Sequence, residues 1–258
     1  MTVASPLRRA RRGRLRPAYT RATSGSGTDI QVWRADLRQP EEWVGQAASI
    51  LAPDERQRAA RGAPEVHRRR LVARAVLRIA LGGALGRPPE SIEFVLSPRG
   101  KPALPGGEVD FSVSTTGEVC VVAVTGDRPI GVDVEQVVAR KGLDRIVATR
   151  FAPEEAAAIG ALDGDARLRA FYNCWTRKEA YLKATGTGLA DPLDRVVVSV
   201  GDDRPEILSL GDGDASEWAL GTLDLGPEVA GAVAVAVRSP PEGPLGTVSV
   251  RPLSLELR

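Results

Sequence analysis

The sequence predicts an α+β fold of two similar lobes facing each other, and three observations lead there. Read along the chain, a strand is followed by helices and then strands, and the same succession comes a second time. The 258 residues suit two lobes of roughly 100–130 residues, an ordinary domain size. The regular alternation of strand and helix that marks a parallel βαβ sheet is missing. No close sequence repeat accompanies the echo. The expected division is a basic N-terminal extension over 1–28, a first lobe over 29–125 and a second over 126–258.

The first lobe opens on a short apolar strand, Ile30 to Trp33. Helical stretches follow over Glu41 to Ala60 and Pro64 to Leu85. Within the first of these, Pro53-Asp54-Glu55 reads as a restart, with proline in the first turn and acids near the positive helix end. In the second, Val66, Leu71, Ala75, Leu77 and Ile79 alternate with Arg68, Arg69, Arg70, Arg74 and Arg78, giving an amphipathic helix with a basic side. A strand at Ile92 to Leu96, a turn over Ser97 to Pro102, and two strands at Val109 to Ser114 and Val119 to Val124 then read as an antiparallel unit. The second lobe begins with a strand at Ile130 to Glu135. Helices follow near Leu143 to Arg150, Pro153 to Leu162 and Asp165 to Ala184, and strands at Arg195 to Val200, Glu206 to Leu210, Trp218 to Leu223 and Ala232 to Val237.

Composition excludes several classes. Hydrophobic residues make up 43% and charged residues 26%, the balance of a globular protein. The net charge of +2 conceals seven arginines that precede the first acidic residue, Asp29, and the Ser24-Gly25-Ser26-Gly27 junction reads as flexible. An unstructured leader without the apolar core of a signal peptide is expected. Two cysteines are too few for a disulfide framework or a zinc cluster, so a reducing cytoplasm fits. No apolar run approaches the ~20 residues that span a bilayer, so no membrane association is expected. With one histidine, His67, on the basic helix, hydrolases built on a Ser-His pair are disfavoured. Cys174 reads as a small buried residue.

Two segments carry chemistry. In Gly131-Val132-Asp133-Val134-Glu135, strand alternation puts Asp133 and Glu135 on one face. Such a pair is either a solvated acidic face or a ligand set for a hard cation such as Mg²⁺, which prefers oxygen donors and often binds carboxylates together with substrate phosphates. In Trp175-Thr176-Arg177-Lys178-Glu179-Ala180-Tyr181-Leu182-Lys183, helical spacing stacks Trp175, Glu179 and Lys183 on one face with Lys178 beside them. Alone, this is an ordinary Glu–Lys helix pair, or else an acid and a base placed for work. Together the segments allow a metal clamp on a pyrophosphate beside a cation that neutralises developing charge.

A Gly-x-Asp-x-Glu strand followed some forty residues later by Trp-x-x-Lys-Glu-Ala-x-x-Lys resembles the signature of the phosphopantetheinyl transferase family. Arg99-Gly100-Lys101-Pro102, Phe111-Ser112-Val113-Ser114 and Phe151-Ala152-Pro153-Glu154-Glu155 are similar to further segments of that family, in the same order. The likeness runs from about Pro53 to Leu189 and points to the two-lobed monomeric type, the kind that activates surfactin synthetase. It implies two lobes related by a pseudo-twofold, with the active site in the cleft between them. By the same resemblance, Asp133, Glu135 and Glu179 would hold Mg²⁺, or Mn²⁺ in its place, and Glu179 would take the proton of the carrier serine. Lys183 would contact the pyrophosphate. Arg68, Lys101, Ser114 and Thr115 would face the nucleotide phosphates of coenzyme A, with Arg58 and Arg69 as weaker additions.

Thr115 departs from the family, which usually has His there. A hydroxyl keeps one hydrogen bond to a phosphate but brings no positive charge. The implied activity is transfer of 4′-phosphopantetheine from coenzyme A to a serine of an apo acyl- or peptidyl-carrier protein, with release of 3′,5′-ADP. Nucleic acid is not an expected partner. Two alternatives use the same residues: a non-catalytic module that binds coenzyme A or a carrier protein, and a metal-dependent phosphohydrolase.

Overall fold

In the computed structural model the described residues are 30–98, 100–188, 192–201, 204–237, 245–253 and 255; the expected leader over 1–28 lies outside them. The first lobe runs β1 (Gln31–Asp36), α1 (Glu41–Ser49), α2 (Pro53–Ala59), α3 (Pro64–Leu85), a 3₁₀ turn at Pro89–Ser91, β2 (Val95–Leu96), β3 (Pro102–Ala103), β4 (Asp110–Thr116) and β5 (Val119–Thr125). The second runs β6 (Ile130–Gln136), α4 (Leu143–Arg150), α5 (Pro153–Gly160), α6 (Gly164–Thr185), a 3₁₀ turn at Leu193–Arg195, β7 (Val196–Val198), β8 (Ile207–Leu210), β9 (Trp218–Leu223) and β10 (Val229–Ala236). The order of elements is the same in both, apart from one further 3₁₀ turn, Ala215–Glu217, between β8 and β9.

The echo reaches down to single residues. Ala52-Pro53 and Ala152-Pro153 each open a helix with proline in its first turn, and the third helical residue, Glu55 or Glu155, accepts the backbone N–H of the preceding alanine at 2.8 Å. Arg78 and Lys178 then reach the same carboxylates, at 2.8 and 2.6 Å. Gly86 and Gly186 close α3 and α6 in the left-handed region, at φ 67° and 71°, where glycine carries no Cβ penalty. All four pairs fall at one constant spacing along the chain. The repeat is therefore present in capping and buried charge, not in general identity.

Two four-stranded sheets form, in the orders β12-β1-β5-β4 and β11-β9-β10-β6. Their extra members, β11 (Gly246–Val248) and β12 (Arg251–Pro252), each pair in parallel with an outer strand. One face of the first sheet packs on α1–α3 through Trp43, Val72, Val76 and Phe111. One face of the second packs on α6 through Phe171, Leu182, Ala232 and Ala234. The remaining faces meet, burying Val32, Val121 and Ala123 among Ile130, Val132, Val134 and Val233. The layers are thus helices, sheet, sheet, helices.

Three sequence expectations change. The strand expected over Ile92 to Leu96 is reduced to Val95–Leu96, because Ile92 leaves the preceding 3₁₀ turn to enter the first core. Strands β11 and β12 were not expected. The last residues also depart from the second lobe, to which the division at 126–258 assigned them: Leu253 N–H donates to Arg34 O at 2.8 Å, Leu255 O accepts from Trp43 Nε1 at 2.7 Å, and Leu253 joins the first core. Apolar Leu253 finds its burial beside β1. Among the described residues, no helix is long and apolar enough to cross a membrane.

Gly131 decides how closely β6 approaches α6. A Cβ there would collide with the backbone of Ala180 and Ala184, and lie 3.0 Å from the carbonyl carbon of Lys183. Helix backbone cannot rotate aside as a side chain can. Gly131→Ala is expected to cost about 1–3 kcal/mol or more through overpacking, read as a lowered Tm in thermal denaturation.

Candidate active site

Alternation along β6 sends Ile130, Val132 and Val134 into the core between the sheets and leaves Gly131, Asp133 and Glu135 facing α6. From α6, Glu179 and Lys183 stand one turn apart. From β4, on the other sheet, Ser114 closes the group. Lys183 Nζ lies 2.6 Å from Asp133 Oδ1 and donates to Ser114 Oγ at 3.0 Å. Ser114 in turn donates its hydroxyl proton to Asp133 Oδ1 at 2.9 Å. Thr116 Oγ1 reaches Glu135 Oε2 at 3.5 Å. Asp133, Glu135, Glu179, Lys183 and Ser114 are therefore brought together where the two lobes meet.

The site is electrostatically strained. Burial holds the Asp133 carboxyl above its usual range, with Lys183 and Ser114 pulling the other way. Burial, and then repulsion from Asp133, raise Glu135. Glu179 is raised by burial and by Asp133, relieved in part by Lys183, and raised again by Glu135. Each of the three thus resists ionising with the others already charged. Two buried carboxylate oxygens, Asp133 Oδ2 and Glu179 Oε1, have no hydrogen-bond partner.

Orphaned anionic oxygens in a mutually repelling group are the donor set that a hard divalent cation fits. Among the described residues, no three His, Cys, Asp or Glu side chains already converge into a metal-binding group. In their place, the Lys183 ammonium supplies the positive charge on Asp133.

The expected nucleotide-side residues are more scattered. Arg68 reaches Glu41 Oε1 at 3.0 Å and the carbonyl of Gln39, which turns it toward α1. Arg58 pairs with Asp54 on its own helix. Arg69 pairs with Glu118 at 2.9 Å, in the β4–β5 turn beside Thr116. Lys101 donates to Asp110 Oδ2 and to Ile130 O, both at 2.9 Å. Thr115 is exposed, its side chain on the opposite face of β4 from Ser114.

Lys178, inside the helical motif, turns away from the site entirely. It is fully buried against Glu155 and donates to Leu193 O at 2.8 Å. Cys174 is buried with its thiol pushed well above the ordinary value, and burial pushes Cys120 up to about 12, so neither favours a thiolate. Arg140, not singled out in the sequence, lowers Glu135 by its charge. Its place beside Lys141 and Gly142, just after the Asp-x-Glu strand, was the only signal.

Residues 129–237 match the family model of the 4′-phosphopantetheinyl transferase superfamily. The chain is 35% identical over 214 residues to the 4′-phosphopantetheinyl transferase HetI of Nostoc sp., spanning 81% of this chain and 87% of that protein. The chain belongs to this superfamily.

A second relative of the superfamily, the 4′-phosphopantetheinyl transferase Sfp of Bacillus subtilis, is 28% identical over 168 residues, 64% of this chain and 73% of its own. A solved holo-(acyl-carrier-protein) synthase of Bacillus anthracis, in complex with CoA (3′,5′-ADP), aligns over 42% of this chain and 94% of its own, at 25% identity and a TM-score of 0.36. The superfamily match begins one residue before β6 and ends one residue after β10, so it frames all of Asp133, Glu135, Glu179 and Lys183. Ser114 and Lys101 come from outside it.

Proposed function

We propose that this chain transfers the 4′-phosphopantetheine group of coenzyme A to a serine of an apo acyl- or peptidyl-carrier protein and releases 3′,5′-ADP. The observation that carries the reading is the placement of Asp133 and Glu135 on the face of β6 turned to Glu179 and Lys183 of α6, with two orphaned carboxylate oxygens, in a chain of this superfamily. Asp133, Glu135 and Glu179 would hold Mg²⁺ or Mn²⁺. Once bound, such a cation supplies Lewis-acid polarisation and neutralises charge on the pyrophosphate.

The chain's own residues divide the remaining work. Glu179, its carboxyl raised above the usual carboxylate range by burial and by Asp133, accepts the proton of the carrier serine as that oxygen attacks the β-phosphate. The bond from the β-phosphorus to the bridging oxygen breaks, and the pantetheine phosphate becomes esterified to the serine. Lys183, on the same face, sets its ammonium against the charge that builds on the departing nucleotide phosphate. Ser114 holds Lys183 and Asp133 in one arrangement through hydrogen bonds to both. We place the enzyme in the cytoplasm as a monomer, a setting that suits two free buried cysteines.

Incubation with coenzyme A, Mg²⁺ and an apo carrier, followed by mass spectrometry, should show the carrier gaining one phosphopantetheine, and chelation of the metal should abolish the gain. No gain with any of several carriers would overturn the reading. Release of nucleotide without a carrier would indicate a phosphohydrolase in its place.

A further inference from the structure

β4 and β6 are outer strands of different sheets, yet they are joined along their length. Asp110 Oδ2 accepts from Ile130 N at 2.9 Å, Ser112 Oγ from Val132 N at 3.1 Å, Ser114 Oγ from Val134 N at 3.3 Å and Thr116 Oγ1 from Gln136 N at 3.0 Å. Both strands advance two residues at each rung, so they run parallel. The free N–H groups of an outer strand ordinarily meet water or another strand. Here the side chains of β4 take that place, and Ser112 and Ser114 are only 6% and 7% exposed.

The first rung differs from the rest. Asp110 also receives Lys101 Nζ, and Lys101 donates in turn to the carbonyl of Ile130, each at 2.9 Å. Both backbone polar groups of Ile130 are thereby clamped by one ion pair. The other three rungs are hydroxyls, whereas hydrogen bonds to a charged group are about twice as strong as those between neutral groups. The charged rung stands at the start of the strand that carries the carboxylates.

We propose that Asp110 is a positioning residue: it fixes the seat of β6 on β4, and so the distance at which Asp133 and Glu135 stand from Ser114, the hydroxyl that also holds Lys183. The inference rests on the transferase reading of that carboxylate edge. Pairing with β10 already sets the register of β6 residue by residue. The ladder sets the finer approach across the lobe boundary, where a misplacement of about 1 Å costs on the order of 100-fold in rate. Lys101 is on this account a member of the seam, its ammonium committed to Asp110 and Ile130.

The test uses the full chain with Asp110→Ala and Asp110→Asn. In the alanine variant, kcat for transfer should fall about 10-fold or more, within the range that misplaced groups cost. Mn²⁺ binding, followed by electron paramagnetic resonance without coenzyme A or carrier, should weaken several-fold. Amide exchange at Ile130 and Val132 should accelerate, while KM for coenzyme A stays near the wild-type value. Asparagine keeps an acceptor for the Ile130 N–H and should give the smaller effect in every readout; it also serves if the alanine variant does not fold. Unchanged kcat and Mn²⁺ affinity would overturn the proposal. So would a rise in KM for coenzyme A matching the fall in kcat, which would put Asp110 and Lys101 on the nucleotide. A wild-type chain that transfers nothing would defeat the transferase reading alone, with Mn²⁺ binding and amide exchange still deciding the role of Asp110.

Discussion

Replacing Glu179 with Gln is expected to lower the rate of phosphopantetheine transfer by at least about 100-fold, the lower end of what a general base contributes, and to raise the melting temperature. The two effects share one cause. Glu179 Oε1 is buried without a partner, and the carboxyl is raised by burial and by Asp133 and Glu135. A carboxyl raised in the folded state binds its proton more tightly there than in the unfolded chain, so ionising it costs stability. That cost is present above the raised value. It fades as pH falls through that value toward the ordinary carboxylate range near about pH 4. Gln at this position carries no charge and escapes the cost.

Thermal denaturation of both proteins across pH should therefore show the variant ahead near neutrality and the two converging in acid. Saturating Mg²⁺ should narrow the gap by stabilising the wild type, because binding to the folded state alone shifts its stability. A variant no more stable than wild type at neutral pH would show that Glu179 is not under the strain described. If Glu179 is the base proposed above, wild-type transfer should also rise with pH through the same range, since only an ionised carboxylate can accept a proton.

Glu155→Ala should have the larger effect on folding. The Glu155 side chain is 1% exposed and pairs at 2.6 Å with Lys178, which is fully buried. It also accepts from Ala152 N and Val198 N, both at 2.8 Å. Alanine leaves the ammonium of Lys178 buried without its counter-charge and uncaps α5. Breaking such a pair from one side costs about 3–5 kcal/mol. In a chain of this size that lowers Tm by roughly 6–20 °C, at about 2–4 °C per kcal/mol. Glu55→Ala, the counterpart in the first lobe, should be costly in the same way, because it leaves the Arg78 guanidinium, 4% exposed, without its counter-charge. Its second partner, Arg74, is 22% exposed and lies over the Phe94 ring, 3.8 Å from the centroid. Normal stability of Glu155→Ala with loss of transfer would move this pair from scaffold to chemistry.

The carboxylate-bearing half of the site is legible in the sequence because alternation in β6 and four-residue spacing in α6 are local rules that act on neighbours. It could not show what those rules do not reach. Lys178 reads as a companion of Glu179 until the distant Glu155 is seen to claim it. Asp110, Ser112, Ser114 and Thr116 share one polar face of β4, and only the second sheet makes them a ladder to the backbone of β6. Strands β11 and β12 are too short for any period to register. The internal repeat stayed hidden because it survives at helix caps and buried ion pairs. The positions matching Asp133, Glu135, Glu179 and Lys183 at the same spacing are Trp33, Ala35, Ile79 and Gly83, none of which can bind a cation.

The return of β12 to β1 bears on synthesis as well as on the finished fold. A ribosome completes residues 31–125 long before residues 251–255 emerge. Until then the outer edge of β1 has no strand beside it, and the Trp43 indole lacks the Leu255 carbonyl. An open edge of that kind invites pairing with other nascent chains. The first lobe is made first and finished last.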